Sequence, residues 1–366
     1  MYMYIDEDTL VDIHDWCFVS GKVNALESSL FTQQYFEKLM EMNTVDDILK
    51  YITNSKLKDY FTSKENIYAF EKSLDAYFFD NINEISFLSP TTMICDVYIL
   101  KYKFLDLKNF LKNKLTGIPH EPISFYILKS SDMEHLWSKK EKVPITGLEV
   151  DSFSPEPLPD SLEVLLNGVN NLKKALRENK GFSKNNTLWI IDLIMDNAYL
   201  CYLSNISVQI SIQYIKEYLE KFIFIKVIES LVRAIFARCN TELLKKYFLQ
   251  DCLNRTHFLN LLDLPMANWK EIMKKELPAE IVNSVVSDKV ETNRDNLNLM
   301  QCEKVLANYL LDTIKLAKYI TFGPERVFGY LCGLDVETYN LKLVIGGKIN
   351  KIERRLLKDR LRNCYV

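Results

Sequence analysis

An all-α fold is what this sequence predicts, and three observations carry the prediction. Only 10 Gly and 10 Pro occur in 366 residues, well below the average usage of ~7% and ~5%. Because these residues punctuate turns, bulges and phosphate loops, a β-sandwich, a barrel or a glycine-rich nucleotide fold is disfavoured. Residues 196–250 contain neither of them. Apolar residues recur at i, i+3, i+4 and i+7 in Leu162, Leu165, Leu166, Val169, Leu172 and Leu176, the stripe of an amphipathic helix.

The elements follow in order. Thr116 to Pro122, with Gly117, Pro119 and Pro122, marks a first break. Pro144, Pro155, Pro157 and Pro159 make residues 140–160 an extended connector. Pro159, Asp160 and Ser161 then start the helix carrying the Leu162–Leu176 stripe, and Gly181 lies just past its end. Residues 196–250 are long enough for two or three consecutive helices rich in Tyr and Phe, and Leu264-Pro265 and Leu277-Pro278 are later breaks. Two short echoes point to duplicated helical units. Asp106-Leu107-Lys108 aligns with Asn340-Leu341-Lys342, and Phe36, Leu39 and Met40 align with Phe258, Leu261 and Leu262.

Composition narrows the function. Hydrophobic residues at 48% and charged residues at 26% support a large core, and at ~100–200 residues per domain two or three domains are expected. A net charge of −3 provides no overall basic field for nucleic acid. The eight cysteines form no C-x-x-C pair and read as reduced thiols. The acidic N-terminus lacks the features of a signal peptide. Trp189–Leu203 is interrupted by Asp192 and Asp196, and Phe222–Val232 by Lys226 and Glu229, so neither offers the ~20 apolar residues of a membrane span. A cytoplasmic, soluble chain is expected. No P-loop, G-x-G-x-x-G, H-E-x-x-H, G-x-S-x-G or EF-hand pattern occurs, and His14, His120, His135 and His257 have no partner at metal-ligand spacing. No catalytic, cofactor or metal site is expected.

Charge is segregated between the ends. Residues 1–30 carry six acids against Lys22, whereas residues 348–362 carry seven bases against Glu353 and Asp359. On a continuous helix, Ile349, Ile352, Leu356 and Leu357 would form the apolar side of that basic segment. Such a helix suits packing on the core with a solvated basic face, or docking on a membrane surface or acidic partner. The opposite charges permit the two termini to lie close together.

The last 44 residues carry the most specific pattern. Gly323-Pro324-Glu325, Tyr330-Leu331, Glu337, Asn340-Leu341-Lys342, Gly347-Lys348-Ile349-Asn350, Arg360-Leu361-Arg362 and Tyr365-Val366 follow one another in order. This segment resembles the C-terminal signature of a V-type (V/A-type) ATPase/ATP synthase family, that of the C subunits, whose eukaryotic equivalent is the V-ATPase d subunit. Val23-Asn24-Ala25-Leu26-Glu27-Ser28-Ser29-Leu30 is similar to that family's V-x-A-L-E-S-x-L opening, and Asp106-Leu107-Lys108 to its first D-x-x-N-L-K element. The middle departs from the pattern: Phe224, Val227, Ile228, Leu231, Val232 and Arg233 keep the apolar frame and the Arg but lack an Asp and an Asn.

The resemblance implies a funnel of three similar helical units about a pseudo-threefold axis, over 1–117, 118–235 and 236–366. It implies a non-catalytic rotor subunit, peripheral on the cytoplasmic face of the membrane. That component joins the central-stalk subunits D and F to the membrane proteolipid (c/K) ring and acts indirectly on the catalytic A/B head, so that rotation serves proton or sodium-ion transport. Lys351, Arg354, Arg355 and Lys358 are then candidates to face the ring or the lipid surface. The alternative is a helical scaffold unrelated to rotary ATPases, which uses its basic C-terminal helix on an acidic partner or a membrane surface.

Overall fold

The structure is a computed structural model, which describes residues 2–3, 11–62, 67–117, 128–138, 161–179, 184–236, 239, 241–249, 255–264, 268–285 and 299–366. Apart from two paired N-terminal segments, Tyr2–Met3 and Val11–Asp12, the regular elements are helical. Expectation and structure agree in class.

The first helices are α1 (Cys17–Glu27), α2 (Gln33–Glu41), α3 (Val45–Thr53), α4 (Phe70–Leu88) and α5 (Met93–Thr116). The Thr44 hydroxyl caps α3 by accepting from the Asp47 N–H at 3.1 Å. The last of these stops at Thr116, where the first break is expected. After α6 (Ser130–Ser138), α7 runs from Ser161 to Glu178, with Leu165, Val169 and Leu172 fully buried along the expected stripe. Residues 196–250 resolve into the end of α8 (Lys184–Gln209), then α9 (Gln213–Phe236) and α10 (Thr241–Tyr247). Shorter helices follow: α11 (Arg255–Asp263), α12 (Trp269–Met273) and α13 (Ala279–Val285), interrupted around Leu264 and Pro278. The connector 140–160, with its four prolines, and the residues Pro119, Pro122 and Pro265 lie outside the described residues.

The C-terminal portion comprises α14 (Leu299–Ile314), a 3-10 turn (Lys315–Tyr319), α15 (Pro324–Ile349) and α16 (Arg354–Arg360). The longest C-terminal helix, α15, packs against α1, α2, α3, α4, α5, α9, α14 and α16. Of its 26 residues, 18 are buried, so it is enclosed on all sides rather than along one stripe. The two ends of the chain therefore meet, as their charges permit. Around α8, the helices α5, α7, α9 and α10 form a second packed group.

One expectation needs correction. The basic segment 348–362 is not one helix: α15 ends at Ile349, Lys351 adopts a φ of 56°, and α16 begins at Arg354. The bend splits the expected apolar side. Leu357 is buried and Ile349 half-buried, whereas Ile352 and Leu356 are exposed.

Candidate functional site

The candidate site is the set of polar side chains that α15 carries into the core. Its start is fixed by Gly323, whose φ of 144° is open to glycine and rarely to other residues. The Gly323 N–H donates to the Ser20 hydroxyl at 3.1 Å. Pro324 then occupies the first helical position, where no amide donor is needed. Glu325 lies in the first turn, with its Oε2 buried and unpartnered and its carboxyl pushed up by burial.

Each polar group further along ties α15 to a different part of the chain. Arg326 donates to Glu27 Oε2 at 2.7 Å and Asn24 Oδ1 at 2.8 Å, and to the Lys318 and Ile320 carbonyls at 3.1 and 2.9 Å. Burial raises the Glu27 carboxyl, against the pull of Arg326. Asp335 accepts from Lys101 at 2.9 Å and from the Tyr102 hydroxyl. Burial alone would raise the Asp335 carboxyl, but Lys101 and the Tyr102 hydroxyl hold it down at about 2. Glu337, buried, accepts from the Phe31 N–H at 2.5 Å, from Lys56 at 2.7 and 3.0 Å and from the Tyr77 hydroxyl at 2.9 Å. Burial lowers the Lys56 ammonium, and Glu337 opposes that shift. Asn340 clasps Arg362 through both backbone groups, each at 3.0 Å. Lys342 reaches the buried Asp75 on α4 at 2.6 Å.

Two glycines one turn apart cut a groove along α15. A Cβ on Gly333 would stand 2.6 Å from the Tyr365 ring, and one on Gly329 would stand 2.8 Å from its hydroxyl. Tyr365 fills that groove, donates to Glu27 at 3.3 Å and, through its carbonyl, accepts from Lys318. Apart from Glu325 Oε2 and Arg326 Nε, which are buried without a hydrogen-bond partner, these polar groups engage one another. They brace helices against each other, since breaking any single buried pair strands its partner.

Comparison with known proteins identifies the frame. The profile of the ATP synthase (C/AC39) subunit family matches residues 19–360. The chain belongs to that family. The C subunit of the V-type sodium ATPase of Enterococcus hirae is 20% identical over 351 residues, covering 94% of this chain and 97% of that protein. The C subunit of the A-type ATP synthase of Methanocaldococcus jannaschii is 19% identical over 364 residues, covering 96% of this chain and 87% of that protein.

The residues that carry the sequence resemblance fall into place unevenly. Glu27, Gly323, Pro324, Asn340, Leu341, Lys342 and Gly347 are gathered on or against α15, with Gly347 facing Leu357 of α16. Ala25, Leu26 and Ser28 lie at the last turn of α1, where the Ser28 hydroxyl donates to the Ala25 carbonyl at 2.7 Å. Lys348 is half-buried, and burial lowers its ammonium. Asp106, Leu107 and Lys108 sit apart on α5 but repeat the Asn340-Leu341-Lys342 arrangement: the polar residue and the Leu are buried, and the Lys reaches a neighbouring acid. Lys108 meets Asp196 of α8 at 2.6 Å, as Lys342 meets Asp75. In the divergent middle element, Phe224, Val227, Ile228, Leu231 and Val232 are core residues of α9, and Arg233 pairs with Glu303 of α14 at 2.8 Å.

Lys351, Arg354, Arg355 and Lys358 are all exposed, and Arg354 is engaged with Glu41 of α2 at 3.0 Å. Sequence reasoning missed Asp75, Lys56, Tyr77, Lys101, Tyr102 and Asp335. Charged residues within the apolar run of α15 signal that buried partners exist, but nothing local names partners more than 200 positions away. Among the described residues, no group of three or more His, Cys, Asp or Glu side chains is placed to hold a metal ion, and no helix is long and apolar enough to cross a membrane.

The Asp335 cluster yields a pH prediction. Its carboxyl lies at about 2 against an ordinary value of 3.8, so its contribution, about 2 kcal/mol, is present above the unfolded value and lost as pH falls towards 2. Urea midpoints taken from pH 5 down to pH 2 should fall less steeply in Asp335→Asn than in the parent. Identical slopes would remove this group from the acid response.

Proposed function

We propose that this chain is the non-catalytic rotor subunit of a V/A-type rotary ATPase or ATP synthase, joining the central-stalk subunits D and F to the membrane proteolipid ring on the cytoplasmic face. Rotation driven by ATP hydrolysis or ion flow is transmitted through it for proton or sodium-ion transport. The three units 1–117, 118–235 and 236–366, arranged as a funnel about a pseudo-threefold axis, belong to the same proposal. The observation that carries it is the family match over residues 19–360, a span containing the buried and half-buried ion pairs that lock α15 to α1, α4 and α5. A torque-bearing coupler needs a close-packed interior of low compressibility, and cross-links between distant parts of the chain resist twisting. Copurification from native membranes is expected to bring down stalk and ring subunits. Recovery free of every ATPase subunit would sink the reading.

Within this proposal, Lys351, Arg354, Arg355 and Lys358 face the ring or anionic headgroups. Reversing Lys351, Arg355 and Lys358 to Glu should release the chain from membranes at lower salt than the parent, because exposed charges are screened within about 10 Å at 0.1 M salt. Arg354 is left in place because it also holds Glu41. An unchanged release profile assigns those three charges to solvent.

A further inference from the structure

The C-terminal basic segment divides into two sets, and the second, Arg360 and Arg362, helps to line a half-open concavity. Met300, Glu303 and Lys304 of α14, Tyr339 of α15, and Arg360 and Arg362 line a concavity of about 250 Å³. Three of these six residues are cations. Each is held in place by a neutral group: Lys304 donates to the Lys358 carbonyl at 3.1 Å, Arg360 to the Met300 sulfur at 3.0 Å, and the Arg362 guanidinium lies 3.6 Å from the centre of the Tyr339 ring. The Asn340 clasp fixes the Arg362 backbone as well. The single acid in the lining, Glu303, is already paired with Arg233. Among the described residues, none of the three cations has a carboxylate within ion-pair distance.

This arrangement is specific. A carbonyl, a thioether and a ring face position a cation without neutralising it, so the cavity keeps a positive charge at a fixed geometry. Two guanidinium forks and one ammonium around a single space suit a compact anion with several oxygens, and Arg in particular recognises phosphate through paired N–H donors. A surface of solvated lysines would lack the enclosure and the fixed forks.

We infer that the cavity between α14, Tyr339 and the C-terminal segment binds a phosphate-class anion through Lys304, Arg360 and Arg362. The anion closes α14 and the C-terminal segment onto α15 by bridging cations that otherwise repel one another. Its source is either a free phosphate species or the phosphate of a lipid headgroup.

The test uses the purified full chain and inorganic phosphate, with chloride at matched ionic strength as the reference. Calorimetric titration should show saturable phosphate binding that chloride does not reproduce, together with a raised thermal midpoint. Arg360→Gln and Lys304→Gln should each weaken binding about tenfold. Arg360 is exposed and Lys304 half-buried, and circular dichroism checks that each variant is folded; Arg362 is left intact because it also holds Tyr339. Vesicles of phosphatidylcholine with and without phosphatidic acid distinguish the sources. Binding to the acidic vesicles that free phosphate competes away, and that Arg360→Gln weakens about tenfold, supports the site with a headgroup as its ligand. Phosphate binding without vesicle binding supports it with a soluble ligand. Phosphate heats equal to those of chloride, or binding unchanged in both variants, would overturn it.

Discussion

Replacing Glu337 with Ala is expected to destabilise the chain by about 3–5 kcal/mol, the range for removing one partner of a buried ion pair. Glu337 is the hub of its cluster, since one carboxylate satisfies the Phe31 amide, the Lys56 ammonium and the Tyr77 hydroxyl. Its side chain is 3% exposed and that of Lys56 is 20% exposed, so water cannot readily replace the lost acceptor. The Lys56 ammonium is already lowered by burial, and without the carboxylate it would have to deprotonate or leave the core. A double-mutant cycle with Lys56→Met separates the pair from its parts: Glu337→Leu with Lys56→Met should recover much of the loss, because an apolar pair strands no charge. Urea midpoints provide the measurement. A single-variant cost below about 1 kcal/mol, typical of an exposed pair, would show that water reaches the cluster.

Truncating Tyr365 to Ala should cost about 3–5 kcal/mol, as for other buried aromatics. Tyr365 is 3% exposed and fills the groove made by Gly329 and Gly333, while its hydroxyl and carbonyl engage Glu27 and Lys318. Without the ring, α15 and Glu27 of α1 lose their contact with it, and so does the Lys318 ammonium, which lies 4.4 Å from the ring centre. The converse change, Gly333→Val, drives a side chain into the same space and should cost about 1–3 kcal/mol by overpacking. The two effects should not add: once Tyr365 is Ala, Gly333→Val has room and its penalty shrinks or reverses. Full additivity would show that the ring does not occupy the groove in solution. Such a result would detach the C-terminal segment from α15.

How far this was legible in the sequence depends on what sort of information each feature needs. The helix Ser161–Glu178 was readable because its 3.6-residue stripe is local; the expected flanking residues Pro159, Asp160 and Gly181 lie outside the described residues. The end of α5 at Thr116 was readable because Gly117 suits a left-handed cap, which it adopts with a φ of 67°, and because the prolines that follow in the sequence disfavour continuing the helix. The bend at Lys351 was not, since a non-glycine residue at a φ of 56° is held there by tertiary packing of Leu357 against Gly347 rather than by propensity. The site was half legible. Glu337, Asn340 and Lys342 stood out through the resemblance, whereas Lys56 in the turn after α3 and Asp75 and Tyr77 of α4 sit in ordinary surroundings and acquire meaning only when they meet α15. Lys304 is similar: it joins Arg360 and Arg362 only through folding.

The central claim is that this chain mechanically joins a rotating stalk to a membrane ring. Reconstitution tests it most directly: purified D–F stalk and detergent-solubilised proteolipid ring are mixed with and without the chain, and complexes are separated by size. Stalk and ring should coelute only when the chain is present, and the Glu337→Ala variant should bridge them less stably. Binding to neither component, or coelution of stalk and ring without the chain, would contradict it.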